Sequence, residues 1–308
     1  MVYFGKVPCY GKVRPYRCAP CYLHRRGLPM LVGITATALS PVLKRLFRRM
    51  DNRLGTVFGI RDFIVVRIRN FEKLCNISDR IVAVSQWLYD VLRQNGVPAN
   101  KIYLSRHGLN LDRFVRPETM PEKEASGALK VGYIGRLNLM KGIGVLIEAV
   151  KRLPRTVPVE LRLYGRINDQ DDRACFQKLQ KITDKDDRIV FGEEITDENR
   201  QAIFSELDAI AVPSLWLEAG PFVVLEAFAF GIPVIGSRLG GIAELVTHGV
   251  NGLLVEAGNI GAWAEAIKKV SLNRKLLKDL AGGIQPVRTT REVADDMVSV
   301  YRDILGLI

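Results

Sequence analysis

Acidic side chains are nearly absent from the first seventy residues, which hold fourteen Lys and Arg but only Asp51 and Asp62. The rest of the chain holds 31 basic and 31 acidic residues, so the net charge of +12 comes from one end. A basic segment joined to a neutral remainder indicates that one side of the protein meets an anionic surface or acceptor. Because aromatic residues are not interleaved there as stacking platforms, we do not expect a nucleic-acid partner.

The sequence also lacks internal repeats, low-complexity tracts and an opening secretory signal, and its five cysteines are thinly spread. A reducing cytoplasm is therefore the expected location. The longest uncharged run, residues 28–43, contains Pro29 and Pro41 and is shorter than the roughly 20 residues that a membrane-spanning helix needs. We predict a buried helix for this run.

Residues 1–26 have no helical or strand period, but they concentrate metal-binding residue types: Cys9, Cys18, Cys21 and His24. A CxxC pair with two further ligands is a common structural zinc site. Only one of the two ligand pairs has a familiar spacing, so we favour free thiols and loop packing. The zinc site remains the alternative.

The segment at residues 39–50 is a basic amphipathic helix in sequence terms. One face would carry the apolar residues and the other the basic ones, namely Leu39, Val42, Leu43, Leu46, Phe47 and Met50 against Lys44, Arg45, Arg48 and Arg49. The apolar face either packs in a core or lies on an anionic membrane surface.

Residues 113–128 are polar, contain Pro117, Pro121 and Gly127, and predict a linker after a first domain at 1–112. The chain then alternates regularly. Strands are predicted at 129–134, 159–164, 188–191, 208–212, 233–236 and 252–255, and helices at 142–153, 171–182, 197–206, 221–230, 241–247 and 259–271. This alternation predicts a parallel sheet covered on both faces, within a second domain at 129–289. A last helix, at 290–308, would pack back toward the first domain.

The stretch at residues 213–236 predicts a loop, a helix and a strand. Pro221 suits the first turn of the helix and Gly231 a left-handed end. Glu218 then lies in the loop and Glu226 inside the helix, with first-turn N–H groups between them. Such a site suits a sugar nucleotide, with donors for its diphosphate and carboxylates for its hydroxyl groups. The alternative is a buried structural unit with two solvated glutamates.

Other candidate residues follow the predicted strands and should meet at one edge of the sheet, where ligands of such sheets bind. Gly135 allows close backbone approach, and Arg136 and Lys141 can reach a diphosphate. Gly165, Gly240 and Gly241 follow later strands. Because all of these residues are expected at the same edge of the sheet, we interpret them as one ligand site and not as unrelated surface loops.

These motifs resemble the donor half of the retaining family 4 glycosyltransferases: GRLNLMKG at 135–142, the Glu218/Glu226 pair, GGIAE at 240–244 and HGVNGLLV at 248–255. The resemblance implies the α/β GT-B architecture, with two Rossmann-like domains, and no required cofactor or metal. The second domain would be a complete parallel sheet and the first incomplete, because no glycine-rich loop follows an opening strand and His107 stands where relatives usually have asparagine. We expect an N-terminally truncated acceptor domain.

The resemblance also implies roles. Arg136 and Lys141 would neutralise the diphosphate, Glu226 would accept from the ribose, and Glu218 would position the transferred hexose. The donor-binding backbone would include Ala219, Gly220, Pro221 and Phe222, with the amides of Val224 and Leu225 on phosphate. The expected reaction is hexose transfer from a nucleoside diphosphate sugar to a glycan or lipid-linked acceptor, at the inner face of the cell membrane. The alternative is an inactive fragment that only binds the sugar nucleotide.

Overall fold

The computed structural model describes residues 2–3, 7–47, 53–113, 127–167, 170–183 and 186–307. The chain divides into two compact units. Unit 1 comprises Met1–Ala83, Leu88–Leu104 and Val300–Ile308, and unit 2 comprises Val84–Trp87 and Ser105–Ser299. Most of the predicted linker, residues 114–126, lies outside the described residues. Within the described residues, none of the helices combines the length and the apolar character that crossing a bilayer needs.

Unit 1 is built mainly from three helices that pack on one another. Its elements in chain order are β1 (Val2–Tyr3), β2 (Val7–Pro8), α1 (Pro15–Arg25), α2 (Met30–Phe47), α3 (Arg53–Ile77), β3 (Ile81–Ala83), α4 (Gln86–Gln94) and β4 (Ile102–Leu104). The first two strands pair antiparallel, and β3 pairs with β4 in parallel. α4 begins at the end of the short Val84–Trp87 segment of unit 2.

Helix α1 was not predicted, because residues 1–26 show no helical period. It begins at Pro15, whose missing N–H costs nothing in a first turn, and it buries Ala19 and Leu23. These two residues pack with Ile60 of α3. Tertiary packing therefore stabilises a helix that local propensity does not favour.

The prediction of a buried helix for residues 28–43 is correct about the helix and wrong about burial. α2 buries its small side chains, Ala36, Thr37 and Ser40, and the Ser40 hydroxyl donates to the Phe58 carbonyl of α3. Its large apolar side chains point outward, so that Leu31 is 73% exposed and Val42 72%. Small residues allow the helices to approach closely, and this displaces the bulky ones to the surface. Residues 48–50 of the predicted amphipathic helix lie outside the described residues.

Unit 2 contains a parallel sheet of six strands, and every predicted strand is present with small shifts at its ends. The strands are β5 (Leu129–Arg136), β6 (Val159–Arg166), β7 (Ile189–Phe191), β8 (Ala209–Val212), β9 (Val234–Ser237) and β10 (Gly252–Val255). Their order is β10-β9-β8-β5-β6-β7. Successive strands therefore step outward from β5 in one direction and from β8 in the other. Ligands of such sheets bind beyond the carboxyl ends of the two central strands, where the order reverses.

Helices cover both faces of this sheet. They are α5 (Ile143–Arg152), α6 (Gln170–Thr183), α7 (Arg200–Glu206), α8 (Phe222–Ala229), α9 (Gly240–Leu245), α10 (Ile260–Leu272) and α11 (Arg274–Gly282). The last helix, α12 (Thr290–Ile304), belongs to unit 1 from Val300 onward. One core packs α5 and α10 on one face, around Leu146 and Trp263. The other packs α7, α8 and α9 around Phe204 and Val224. The sequence did not predict α11.

The connection from β5 to α5 is held against the end of β8 by Gly142. This residue has a φ of +74°, and a Cβ there would lie 1.9 Å from the Pro213 carbonyl oxygen. Only glycine combines that backbone conformation with so close an approach. The loops after β5 and β8 are thereby packed together at the position where a ligand is expected.

Candidate functional site

The candidate site lies at the carboxyl ends of β5 and β8, the two strands where the order reverses. Arg136 ends β5, and a single 3₁₀ turn, Leu139–Lys141, follows it. The Asn138 side chain starts that turn by accepting from the Met140 amide at 2.9 Å. The Met140 carbonyl in turn accepts from the Leu215 amide at 2.9 Å, so a backbone hydrogen bond joins the loops after the two strands.

An ion pair connects the same two loops. Lys141 Nζ lies 2.7 Å from Glu218 Oε1, and the Ser214 hydroxyl donates to the same oxygen at 2.8 Å. The Glu218 side chain is 14% exposed and that of Lys141 35%. The structure thus brings together a predicted cation and a predicted carboxylate that are separated by 77 positions in the sequence. The bond from Ser214 to Glu218 was not predicted from the sequence.

Gly240 and Gly241 hold the backbone of the Glu218 loop. The Gly241 amide donates to the Glu218 carbonyl at 2.7 Å, and a Cβ on Gly241 would lie 2.7 Å from the Ala219 carbonyl oxygen. We predicted that these glycines would open backbone toward a ligand. In the structure they allow the backbone of α9 to contact the backbone of the loop that carries Glu218. They therefore support that loop through its main chain.

The remaining predicted glycines lie side by side at the ends of neighbouring strands. Gly135 pairs with Gly165 in the β5–β6 register. A Cβ on Gly165 would meet the buried side chain of Leu137, at 2.2 Å from its Cγ. Gly165 therefore makes room for the chain that leaves β5 and turns toward Lys141.

Pro221 forms the N-cap of α8, and Gly231, with a φ of +69°, follows its end as predicted. The Val224 amide donates to the Pro221 carbonyl at 3.1 Å within the first turn, and its contact with phosphate stays a prediction. The side chains of Val224 and Leu225 are buried. Phe222 remains at the surface and is 47% exposed.

His107 packs against the loop before α8, which the sequence did not indicate. Its ring lies 4.6 Å, centroid to centroid, from that of Phe222. A Cβ on Gly220 would lie 2.8 Å from His107 Cδ2, so glycine permits this contact. Burial lowers the pKa of His107. The signal that could have found it is its departure from the asparagine usual in similar turns.

Glu226 occupies a different environment from Glu218. Burial raises the pKa of Glu226, and of the two charges acting on it Asp197 raises it further while Arg200 lowers it. A carboxyl group whose ionisation is opposed by burial is a feature of binding sites. The ribose-binding role of Glu226 stays a prediction.

The alternative zinc ligands of the N-terminal segment lie in and next to α1. In the part of the chain that the structure describes, no group of three or more His, Cys, Asp or Glu is arranged to hold a metal ion. The Cys18 thiol accepts from the Arg14 amide at 3.3 Å in the first turn of α1. Burial and the neighbouring Cys9 and Cys21 raise the pKa of Cys18. It therefore remains largely a protonated thiol at neutral pH.

Comparison with known proteins identifies a matching family model and several relatives of this chain. The family model described as "Glycosyl transferases group 1" matches residues 116–283. A D-inositol 3-phosphate glycosyltransferase of Xylanimonas cellulosilytica is 26% identical over 253 residues, covering 76% of this chain and 59% of that protein. The capsular polysaccharide biosynthesis glycosyltransferase CapM of Staphylococcus aureus is 24% identical over 262 residues, covering 82% of this chain and 67% of that protein.

Solved structures support the fold class. Sucrose-phosphate synthase from Thermosynechococcus elongatus superposes with a TM-score of 0.67 at 26% identity, covering 79% of this chain and 63% of that one. HepE of Anabaena, solved with UDP and glucose, has a TM-score of 0.64 at 20% identity, covering 85% of this chain and 81% of that one. The predicted α/β fold of GT-B type is confirmed. The chain spans 59% of the length of the first relative and 63% of the synthase.

The raised pKa of Glu226 predicts a pH-dependent stability. Between the ordinary carboxyl pKa and the raised one, the folded protein binds more protons than the unfolded chain, so the free energy of unfolding falls as pH rises. Glu226→Gln removes this loss. We expect the variant to gain stability relative to wild type between pH 4 and pH 7, measured by urea unfolding at both values.

Glu265→Gln, on the exposed surface of α10, controls for the loss of one negative charge. The stability difference between wild type and Glu226→Gln should change between pH 4 and pH 7. If it were the same at both values, burial would not oppose the ionisation of Glu226.

Proposed function

The chain belongs to the group 1 glycosyl transferases, and on this premise we propose that it transfers a hexose from a nucleoside diphosphate sugar to a glycan or lipid-linked acceptor, with retention of configuration. The observation that carries the proposal is the Lys141–Glu218 ion pair at the ends of β5 and β8. An ammonium and a carboxylate at this point match the two parts of such a donor, a diphosphate and a sugar rich in hydroxyl groups.

The chemistry follows from charge. When the bond between the anomeric carbon and the diphosphate oxygen breaks, the leaving group gains negative charge. Positive groups fixed close to that oxygen stabilise the transition state more than the ground state. Lys141 and Arg136 would supply these charges, and Glu218 would accept from hydroxyl groups of the hexose. The acceptor hydroxyl then forms the new bond on the face of the anomeric carbon that the diphosphate leaves, and its proton passes to the departing diphosphate oxygen.

Lys141 and Glu218 neutralise each other in their ion pair. A donor would have to offer Lys141 a phosphate oxygen and Glu218 a hydroxyl group in exchange for this contact. A nucleoside diphosphate sugar offers both at once, whereas a free nucleoside diphosphate leaves Glu218 without its cation. The pair therefore favours the intact sugar donor over the bare nucleotide.

Two related proteins support the same reaction class. HepE was solved with UDP and glucose, and CapM is named for capsular polysaccharide biosynthesis. We carry over from them a nucleotide-sugar donor and a saccharide acceptor. The second candidate function is binding of the donor without transfer.

We also propose that α2 contacts an anionic membrane surface, which would place the protein at the inner face of the cell membrane. The outward-facing Leu31, Leu39 and Val42 are each more than half exposed. They lie in a run without charge, inside the segment that carries the net charge of +12. Exposed apolar side chains and basic neighbours together favour binding to anionic lipid.

Calorimetric titration with UDP-, GDP-, ADP- and dTDP-sugars tests the donor site. We expect one of these series to bind, and Lys141→Met to weaken it about tenfold to a hundredfold, the value of one charge-assisted contact. Lys151→Met, at the far end of α5, is the matched control and should bind as wild type. No binding by any donor, or equal affinities for Lys141→Met and wild type, would refute the proposal. Binding without transfer to any acceptor supports the second candidate.

Vesicle flotation tests the membrane contact. We expect the protein to float with phosphatidylglycerol vesicles and not with phosphatidylcholine vesicles, less so in high salt because screening weakens the attraction. Val42→Glu should reduce flotation. Leu272→Glu, at an exposed apolar position of α10, should leave it unchanged. Equal binding to both lipids would count against the proposal.

A further inference from the structure

Arg136, the cation expected to face the diphosphate, is anchored by a buried carboxylate. Its guanidinium presents Nε and Nη2 to Asp172 in the first turn of α6, at 3.2 Å and 3.0 Å from Oδ2. The Asp172 side chain is fully buried, whereas that of Arg136 is 48% exposed. A buried carboxylate needs a charged partner, so this contact is costly to break.

The backbone of Arg136 is fixed as well. The Tyr133 hydroxyl donates to the Arg136 carbonyl at 2.6 Å. Tyr133 is 3% exposed, and its pKa is raised by burial and by the charges of Glu218, Cys175 and Asp172. Its hydroxyl therefore keeps its proton and acts as a permanent donor. Arg136 is held at both ends, by Tyr133 through the main chain and by Asp172 through the side chain.

Side-on contact with a carboxylate fixes the plane of a guanidinium. An arginine on a free chain samples many rotamers and loses that freedom when it binds an anion, whereas an arginine clamped along one edge does not. The clamp also lowers the net charge that Arg136 presents to a phosphate. Asp172 thus orients the guanidinium and at the same time weakens its electrostatic attraction for the phosphate.

We infer that Asp172 is a positioning residue, which orients Arg136 toward the diphosphate of the donor and thereby sets the affinity of that subsite. The inference rests on the proposed function for the identity of the ligand. It names a role for a residue that would not itself touch the donor. Asp172 would act on the ligand only through Arg136.

Double-variant analysis with inorganic pyrophosphate and UDP as probes separates this role from a general electrostatic one. We expect Asp172→Asn to weaken the binding of both probes about tenfold when Arg136 is present, because the guanidinium is no longer preorganised. In an Arg136→Met background the same change should alter affinity by no more than about twofold. Binding of uridine, which has no phosphate, should not change.

If Asp172 had no positioning role, removing its negative charge would strengthen the binding of pyrophosphate instead of weakening it. Tighter pyrophosphate binding by Asp172→Asn, or an equal loss in both backgrounds, would overturn the inference. The matched control is Asp186→Asn. Asp186 also pairs side-on with an arginine: it accepts from Arg188 Nε at 2.9 Å and from Arg188 Nη2 at 2.8 Å. This pair precedes β7 and so lies at the amino ends of the strands, away from the candidate site. This variant should lose stability and keep its affinity for pyrophosphate.

A ligand-free measurement decides the inference even if no donor binds. The Nε–Hε resonance of Arg136, assigned through its loss in Arg136→Lys, should exchange slowly with water in wild type and rapidly in Asp172→Asn. Rapid exchange in the wild type would show that Asp172 does not fix the guanidinium. Failure of pyrophosphate and of UDP, GDP, ADP and dTDP to bind wild type, with slow exchange intact, would instead count against the proposed function alone.

Discussion

The ion pair between Lys141 and Glu218 is the contact around which the site of unit 2 is built. It joins the loops after the two central strands, whose backbones are already linked through Met140 and Leu215. Gly142 and Gly241 contribute to this arrangement in the same way. Gly142 lets one loop reach Pro213, and Gly241 lets α9 support the other. Each removes a side chain so that backbone can approach backbone closely.

The two carboxylates predicted for the site, Glu218 and Glu226, have different surroundings in the fold. Glu218 receives a cation and a hydroxyl group, which satisfy its charge in the absence of ligand. Glu226 is held in α8, where burial opposes its ionisation. Because burial opposes its ionisation, a neutral side chain at this position would be more stable at neutral pH.

The sequence predicted the sheet of unit 2 well because its strands are short apolar runs separated by helices of regular period. It also placed Arg136, Lys141 and Glu218 on one edge, since strand ends in a parallel sheet lie together. It could not reveal that Arg136 is anchored by Asp172, 36 positions away, or that His107 meets Gly220. Such contacts depend on tertiary packing and leave no local pattern.

Unit 1 was predicted less well for a related reason. In α2 the residues that face the other helices are small, and the large apolar side chains point outward, which inverts the usual relation between hydrophobicity and burial. In α1 two prolines, Pro15 at the start and Pro20 inside the CxxC segment, conceal a helix that packing stabilises. Hydrophobic period alone cannot distinguish these cases from a loop or a buried core helix.

Hydrogen–deuterium exchange with and without a nucleoside diphosphate sugar tests the central claim most directly. The loops at residues 136–142 and 214–222 should both become protected when the donor that binds is added, because it would bridge them in place of the Lys141–Glu218 contact. The exposed end of the sheet around Val190 should be unaffected. Protection that is confined to one loop, or that appears only around Val190, would contradict a donor site at the ends of β5 and β8.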